Sequence, residues 1–176
     1  MTKQSQKHLA QAALALAMVA AVGSAAAAVA TANSTSTVVT PINITKGADL
    51  AFGSFAAGSG AGSVTVSPNG ARAFSGGVVG MGGTPTAARF DVTGQAGLNY
   101  AITWTGSTEL SDGGTNTMAF TRISAVTASA ATSGEATNGT LIGGAQSIYV
   151  GGVLTVGANQ APGNYSGTIT ATVVYE

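Results

Sequence analysis

The chain has no cysteine, so it can form neither a disulfide nor a thiolate nucleophile or metal site. Its stability has to come from core burial and strand pairing. The one histidine, His8, falls in a segment that reads as removable. Without it the folded part cannot build a Ser-His-Asp relay or a histidine metal site. Charge is scarce as well: Asp, Glu, Lys and Arg make up 7% of the residues, far below the usual quarter. Because 45% of the chain is hydrophobic, the low charge does not signal disorder, which goes with low hydrophobicity and high net charge. Past the first thirty residues, Lys46, Arg72, Arg89 and Arg122 stand against Asp49, Asp91, Glu109, Asp112, Glu135 and Glu176. That leaves no basic footprint for nucleic acid. Ser, Thr, Gly and Ala fill the places of the missing charges, and such a surface suits close contact between copies. Helical periodicity with caps is also missing after the first thirty residues.

What is present at the N-terminus is an export signal. Lys3, Lys7 and His8 precede an apolar run from Leu9 to Val22, broken only by Gln11, and Gly23-Ser24 leads into small residues. The run is shorter than the roughly twenty residues of a membrane span. Cleavage is allowed after Ala28, Ala30 or Ala32, and the sequence does not choose among them. Residues 1–30 are therefore set aside as a signal, 31–41 form an N-terminal extension, and 42–176 are long enough for one domain with a core of its own.

The remainder alternates short β-prone runs with turn residues. Strands are expected over Val38–Thr45, Asp49–Phe55, Gly62–Ser67, Ala71–Val79, Ala88–Thr93, Leu98–Thr105, Thr117–Ser124, Ser147–Val156 and Asn164–Tyr175. Turn signals separate several of them: Ser67-Pro68-Asn69-Gly70, Gly94-Gln95-Ala96-Gly97, Asp112-Gly113-Gly114 and Ala161-Pro162-Gly163. Ala125–Ile142, poor in large side chains, reads as a long surface loop with room for one weak strand. The fold class is all-β, an immunoglobulin-like β-sandwich. The last run is the clearest: Tyr165, Gly167, Ile169, Ala171, Val173 and Tyr175 alternate with Ser166, Thr168, Thr170, Thr172 and Val174. A period of two marks a strand with one face on a core and one in water. A chain that ends on such a strand must have it completed by an earlier segment or by another molecule, and an open edge is a template for partner strands.

No constellation points to catalysis, and neither a cofactor nor a metal is expected. Glu109 and Asp112 lie close in sequence and could in principle serve glycoside hydrolysis, but solvated turn acids account for them better. Arg89 and Asp91 share one strand face as an exposed pair. The loop acids lack calcium-site spacing. Gly76–Gly83 is glycine-rich, yet no Lys-Ser or Lys-Thr follows and no helix opens there, so it reads as bulge and turn. Phe90, Tyr100, Ile102 and Trp104 fall at alternating strand positions with apolar neighbours, which is the pattern of a sandwich core. An exposed aromatic platform would instead favour a monomeric secreted module that binds glycan, or a coat module.

Several pieces together carry a family resemblance: Ile42, Ile44, Leu50, Phe52-Gly53, GSVTV at 62–66, FDVTGQAGLNYAITW at 90–104, and YVGGVLTVGANQAPGNYSGTITATVVY at 149–175. In this order they resemble a family of bacterial secreted proteins known only as a domain of unknown function, itself similar to subunits of chaperone-usher pili and to spore-coat-type proteins. Pilus subunits of that class end in an alternating apolar strand with a penultimate tyrosine and a glycine about a dozen residues before it; Tyr175 and Gly163 occupy those places. The resemblance implies that Ile169, Ala171, Val173 and Tyr175 line a groove left by a missing strand. A periplasmic chaperone would fill the groove first, with an outer-membrane usher in the assembly, and the N-terminal extension of the next identical subunit would replace it head to tail. It further implies a non-enzymatic fibre subunit, exported through the periplasm to the cell surface and supporting adhesion or biofilm. The missing disulfide departs from many pilins and leaves the subclass undecided.

The segment ANSTSTVVTP at 32–41 suits a donor strand, being uncharged and ending at a proline that favours extended geometry before it. Its candidate donor residues are Val38, Val39, Thr40 and Ile42. Whether Val38, Thr40 and Ile42 or the opposite set would insert, and whether this strand pairs in its own domain or in another, stays open at the level of sequence.

Overall fold

The computed structural model describes residues 27–176. Most of the expected export signal, including His8, lies outside the described residues. Ten strands follow in order: β1 Asn43–Ala48, β2 Ser54–Val66, β3 Arg72–Gly82, β4 Ala88–Thr93, β5 Asn99–Gly106, β6 Glu109–Ser111, β7 Thr117–Ala125, β8 Asn138–Thr140, β9 Ala145–Val156 and β10 Ile169–Tyr175. A single 3-10 turn covers Ile142–Gly144, and there is no α-helix among the described residues. Every strand pair is antiparallel.

β9 is the axis of the larger sheet. Along one edge it pairs with β7 over 149–155. Its other edge pairs with β4 over 145–150 and then with β2 over 152–156. The change of partner falls at Gly151, where a Cβ would stand 2.0 Å from the carbonyl oxygen of Val66. Only a residue without a side chain allows two strand ends to meet there. β1 extends this sheet beside β4, β3 lies outside β2, and β6 lies outside β7. The smaller sheet has the order β10-β5-β8.

Two apolar clusters result, and they are covered differently. One gathers Ala88, Val92, Ile148 and Val150 of the larger sheet against Tyr100, Ile102, Leu141 and Val173 on the other side. Here two sheets face each other, as the period-two patterns of β4, β5 and β10 require. The other cluster, Phe52, Val64, Val66, Val78, Met118, Phe120, Leu154 and Val156, draws its buried members from β2, β3, β7, β9 and the segment before β2. The three strands of the smaller sheet contribute to it only through half-buried Ile169. The smaller sheet thus stops short of this end.

Several expected strands change shape. Strand pairing begins at Asn43 rather than Val38, since Pro41 has no N–H to give a ladder and the Thr40 carbonyl is held by a side chain. Of the run expected over Asp49–Phe55 only Ser54 and Phe55 are strand, Ala51 making a single bridge to Thr86; they join the Gly62–Ser67 run in one strand, β2, interrupted by a bulge between Ala57 and Gly62. The bulge is possible because a Cβ at Gly77 would meet the Gly60 carbonyl oxygen at 2.2 Å, and at Gly62 the Ser75 oxygen at 2.1 Å. At this point the β2–β3 ribbon doubles back. Arg72 and Gly82 are the two ends of β3, yet Arg72 Nη1 donates to the carbonyls of both Phe52 (2.8 Å) and Gly82 (3.1 Å). A straight strand of that length would hold its ends roughly 30 Å apart. The expected strand from Asn164 starts only at Ile169, with a single bridge at Ser166 before it. The long loop after β7 carries β8 and is tied down: Trp104 Nε1 donates to Ala136 O (2.8 Å), and Ala136 N donates to Ser124 Oγ (2.8 Å).

Candidate functional site

Where the smaller sheet ends, a groove of about 760 Å³ opens, with polar and apolar residues along its walls. One wall is Leu50–Ala57 and the other is Gln160–Ile169. Its floor is made by Leu110, Met118, Phe120 and Leu154, the last three buried members of the cluster around Phe52 and Val64. Phe52 stands edge-on to Phe120, with ring centroids 6.2 Å apart.

Both sides of the groove present strand edges. Ser54–Ala57 is paired with β3 on one edge, while the partnership of β2 with β9 begins only at Gly62. On the far side, Ser166 bridges Ser111, Thr168 O accepts from Ser107 N (2.8 Å), and β10 pairs with β5 alone. The second edge of β10 has no strand partner among the described residues. Each such edge carries N–H and C=O groups at strand spacing, able to take a ladder of hydrogen bonds.

The expected acceptor residues divide along the last strand. Gly163 and Ile169 line the groove. Ala171, Val173 and Tyr175 continue the same inward face beyond it, under the smaller-sheet half, while Thr170, Thr172 and Val174 are exposed. Val173 is buried and Tyr175 half-buried in the cluster of Tyr100 and Ile148 between the two sheets. The expected donor residues divide too. Val38 and Val39 are exposed and in no strand. Thr40 is hydrogen-bonded to the domain through its carbonyl, which accepts from the Tyr175 hydroxyl at 2.7 Å. Ile42 is half-buried and packs on the cluster of Tyr100 and Val173.

Sequence reasoning did not name Phe52, Phe55, Leu110, Met118 or Tyr165 as groove residues. Tyr165 alone had a usable signal, since it shares the period of Ile169. The others come together only through the folded ribbon and the bent path from β5 to β6.

The acids keep to turns and surface. Asp112 Oδ2 accepts from Asn116 Nδ2 (2.6 Å) and Oδ1 from Gly114 N (2.8 Å). The Asn116 amide, followed by the Gly114 N–H, holds its carboxyl below the usual carboxylate range. Glu109 is exposed on β6, and Arg89–Asp91 is an exposed pair at 3.2 Å. Trp104 is half-buried, with the Arg122 guanidinium 5.1 Å over its ring and Phe90 at its edge. Among the described residues no three His, Cys, Asp or Glu side chains cluster to hold a metal ion.

Fold and groove define a class: an all-β domain of antiparallel sheets whose smaller layer spans only part of the larger, with a groove beside its end. The chain belongs to the family described as "Domain of unknown function (DUF4402)", which matches residues 42–175. No curated protein and no solved structure matches the chain.

Proposed function

We propose that this chain is an exported structural subunit of a bacterial surface fibre, an immunoglobulin-like sandwich short of one strand that the N-terminal extension of a second copy supplies. The observation that carries this reading is the groove, with an apolar floor between Ser54–Ala57 and the start of β10, each with a strand partner on one edge only. A pocket for a small ligand needs a few converging polar groups, whereas the Gln160 amide and the Tyr165 hydroxyl in this lining are hydrogen-bonded to each other (2.9 Å). Leu110, Met118, Phe120 and Leu154 instead suit alternate side chains of an inserted strand, whose main chain would pair with the edges on either side.

The extension fits the donor role in two respects. Residues 27–39 are exposed and in no strand. Val38 and Val39 bring β-branched side chains to a segment without charge. Successive strand residues face opposite sides, so one of Val38 and Val39 would enter the groove at about 1.5–3 kcal/mol before ordering costs, and the main-chain ladder would have to supply the rest. Release would require the whole ladder to open at once, so persistence becomes a question of rate. Donor and acceptor are different surfaces, so the contact is head-to-tail and propagates as a filament. During export the open groove needs cover, a role for a periplasmic chaperone with an outer-membrane usher. Adhesion or biofilm formation at the cell surface is the use such a fibre would serve. The glycan-binding alternative gains nothing from Trp104, whose ring face is occupied by Arg122.

The absence of native cysteine makes the test direct. In the exported chain, Val38→Cys on the extension is combined with Ser54→Cys on the groove wall, and the protein is oxidised. A ladder of disulfide-linked multimers is expected. A chain that stays monomeric, or that closes only an internal disulfide, overturns the proposal.

A further inference from the structure

The hydroxyl of Tyr175 joins three separate parts of the fold. It donates to the Thr40 carbonyl (2.7 Å) and accepts from the Gln95 N–H (2.6 Å). The Gln95 side chain closes the ring, its Oε1 accepting from Thr40 Oγ1 at 3.3 Å. Space for the hydroxyl exists because residue 94 is glycine; a Cβ there would stand 2.2 Å from the phenolic oxygen. The last strand, the turn after β4 and the root of the extension therefore meet at one oxygen. Beyond that root, residues 27–39 are exposed and unpaired in any strand.

This junction lies at the wrong end of β10 for self-insertion. Ile169, at the other end of the strand, lines the groove, and the run from Tyr175 back to Ile169 is about 20 Å. An extension filling its own groove would spend roughly six residues on that distance before entering it. Removal of the expected signal after Ala28, Ala30 or Ala32 leaves about eleven, nine or seven residues ahead of Thr40. Between about one and five would remain for a groove whose wall, Leu50–Ala57, is about 25 Å long. In a second copy abutting that pole, all seven to eleven are available and span roughly 23–36 Å.

We infer that Tyr175 is a positioning residue: its hydroxyl pins the root of the extension at the pole remote from the groove and so directs the extension to the groove of a second copy. This inference rests on the fibre reading above and adds to it a direction and a residue. The pin also limits slack. Without it Thr40 keeps only its two long contacts to Gln95 Oε1 (3.3 and 3.4 Å), and the next residue packed into the core is Ile42.

The test compares the exported wild-type chain with Tyr175→Phe, which keeps the ring and removes the bridging oxygen, and with Gly94→Ala, which crowds that oxygen out. In both variants the amide of Gln95 is expected to exchange about tenfold faster or more, as a hydrogen-bonded group that loses its acceptor does. A peptide spanning Ala32–Thr40 should stabilise wild type and Tyr175→Phe equally, because the groove is untouched. The detergent-resistant ladders of Tyr175→Phe should dissociate at lower temperature than those of wild type. Unchanged Gln95 exchange together with wild-type ladders overturns the inference. If the peptide stabilises neither protein and no ladder forms, the fibre reading is what fails, and Gln95 exchange still decides whether the pin exists.

Discussion

Tyr100 is wholly enclosed, and its hydroxyl has no hydrogen-bond partner. The oxygen lies against Gly139 of β8, where a Cβ would come within 2.5 Å of it. A buried hydroxyl without a partner costs about 1–3 kcal/mol of lost hydration. Tyr100→Phe, which keeps the ring and drops the oxygen, should therefore be stabilising by about 1 kcal/mol in denaturant melts. Burial also pushes the pKa of this phenol above its ordinary value. The sign follows: the unfolded chain gives up the proton from about pH 10, the folded chain resists, and stability contributed below that pH is lost as pH rises. Tyr100→Phe should remove that part of the alkaline slope. Asp112 works in the opposite direction. Its carboxylate is held by Asn116 and Gly114, so its contribution is present above the usual carboxylate range and is lost as pH falls through its depressed value. In Asp112→Ala the acid limb of the stability profile should be shallower than in wild type, as urea midpoints across pH 2–5 would show.

At the scale of elements, the β2–β3 ribbon shapes the groove wall. Its fold at the glycine bulge is held by Arg72, which links Phe52 O to Gly82 O and lies 4.8 Å over the Phe74 ring. Two charge-assisted hydrogen bonds and a cation–π contact are lost together in Arg72→Ala, a change expected to cost about 2–3 kcal/mol in urea unfolding. The same variant frees the Phe52–Ala57 wall, so the Ala32–Thr40 peptide should bind it more weakly than wild type by calorimetry. β9 gives a second prediction. Gly151→Ala would drive a methyl group into the Val66 carbonyl where β9 passes from β4 to β2. A loss of roughly 3 kcal/mol or more is expected, with the fall in thermal midpoint as the measure. The loop after β7 behaves as part of the fold because Trp104 Nε1 holds Ala136 O and because Arg122 Nε lies 2.9 Å from Glu135. That ion pair is a close Coulombic contact rather than an aligned hydrogen bond.

For the whole molecule, the proposed contact between copies involves almost no charge. The groove walls and floor contain no Asp, Glu, Lys or Arg, and neither do residues 27–41. Screening by salt acts on charged surfaces, within a Debye length of about 10 Å at 0.1 M. The dissociation temperature of assembled ladders should therefore be nearly constant between low salt and about 1 M sodium chloride. A steep salt dependence would place the contact on the Lys46, Arg72, Arg89 or Arg122 surface instead.

Much of this architecture is legible in the residues themselves. The alternation from Ile169 to Tyr175 determined a half-buried final strand, because a pleated backbone sends successive side chains to opposite faces. Runs such as Ala88–Thr93 and the Pro68-Asn69-Gly70 turn determined where strands lie and where they reverse. Tertiary structure decided what periodicity cannot express. The doubling of β2 and β3 depends on which glycine meets which distant carbonyl. The change of partner at Gly151 depends on two strands meeting end to end, and the Tyr175 contact joins residues from opposite ends of the chain. The groove arises because three strands in one layer cover only part of the other. A sequence pattern tells which face of a strand is apolar; only the count and placement of the strands opposite tell whether that face is covered.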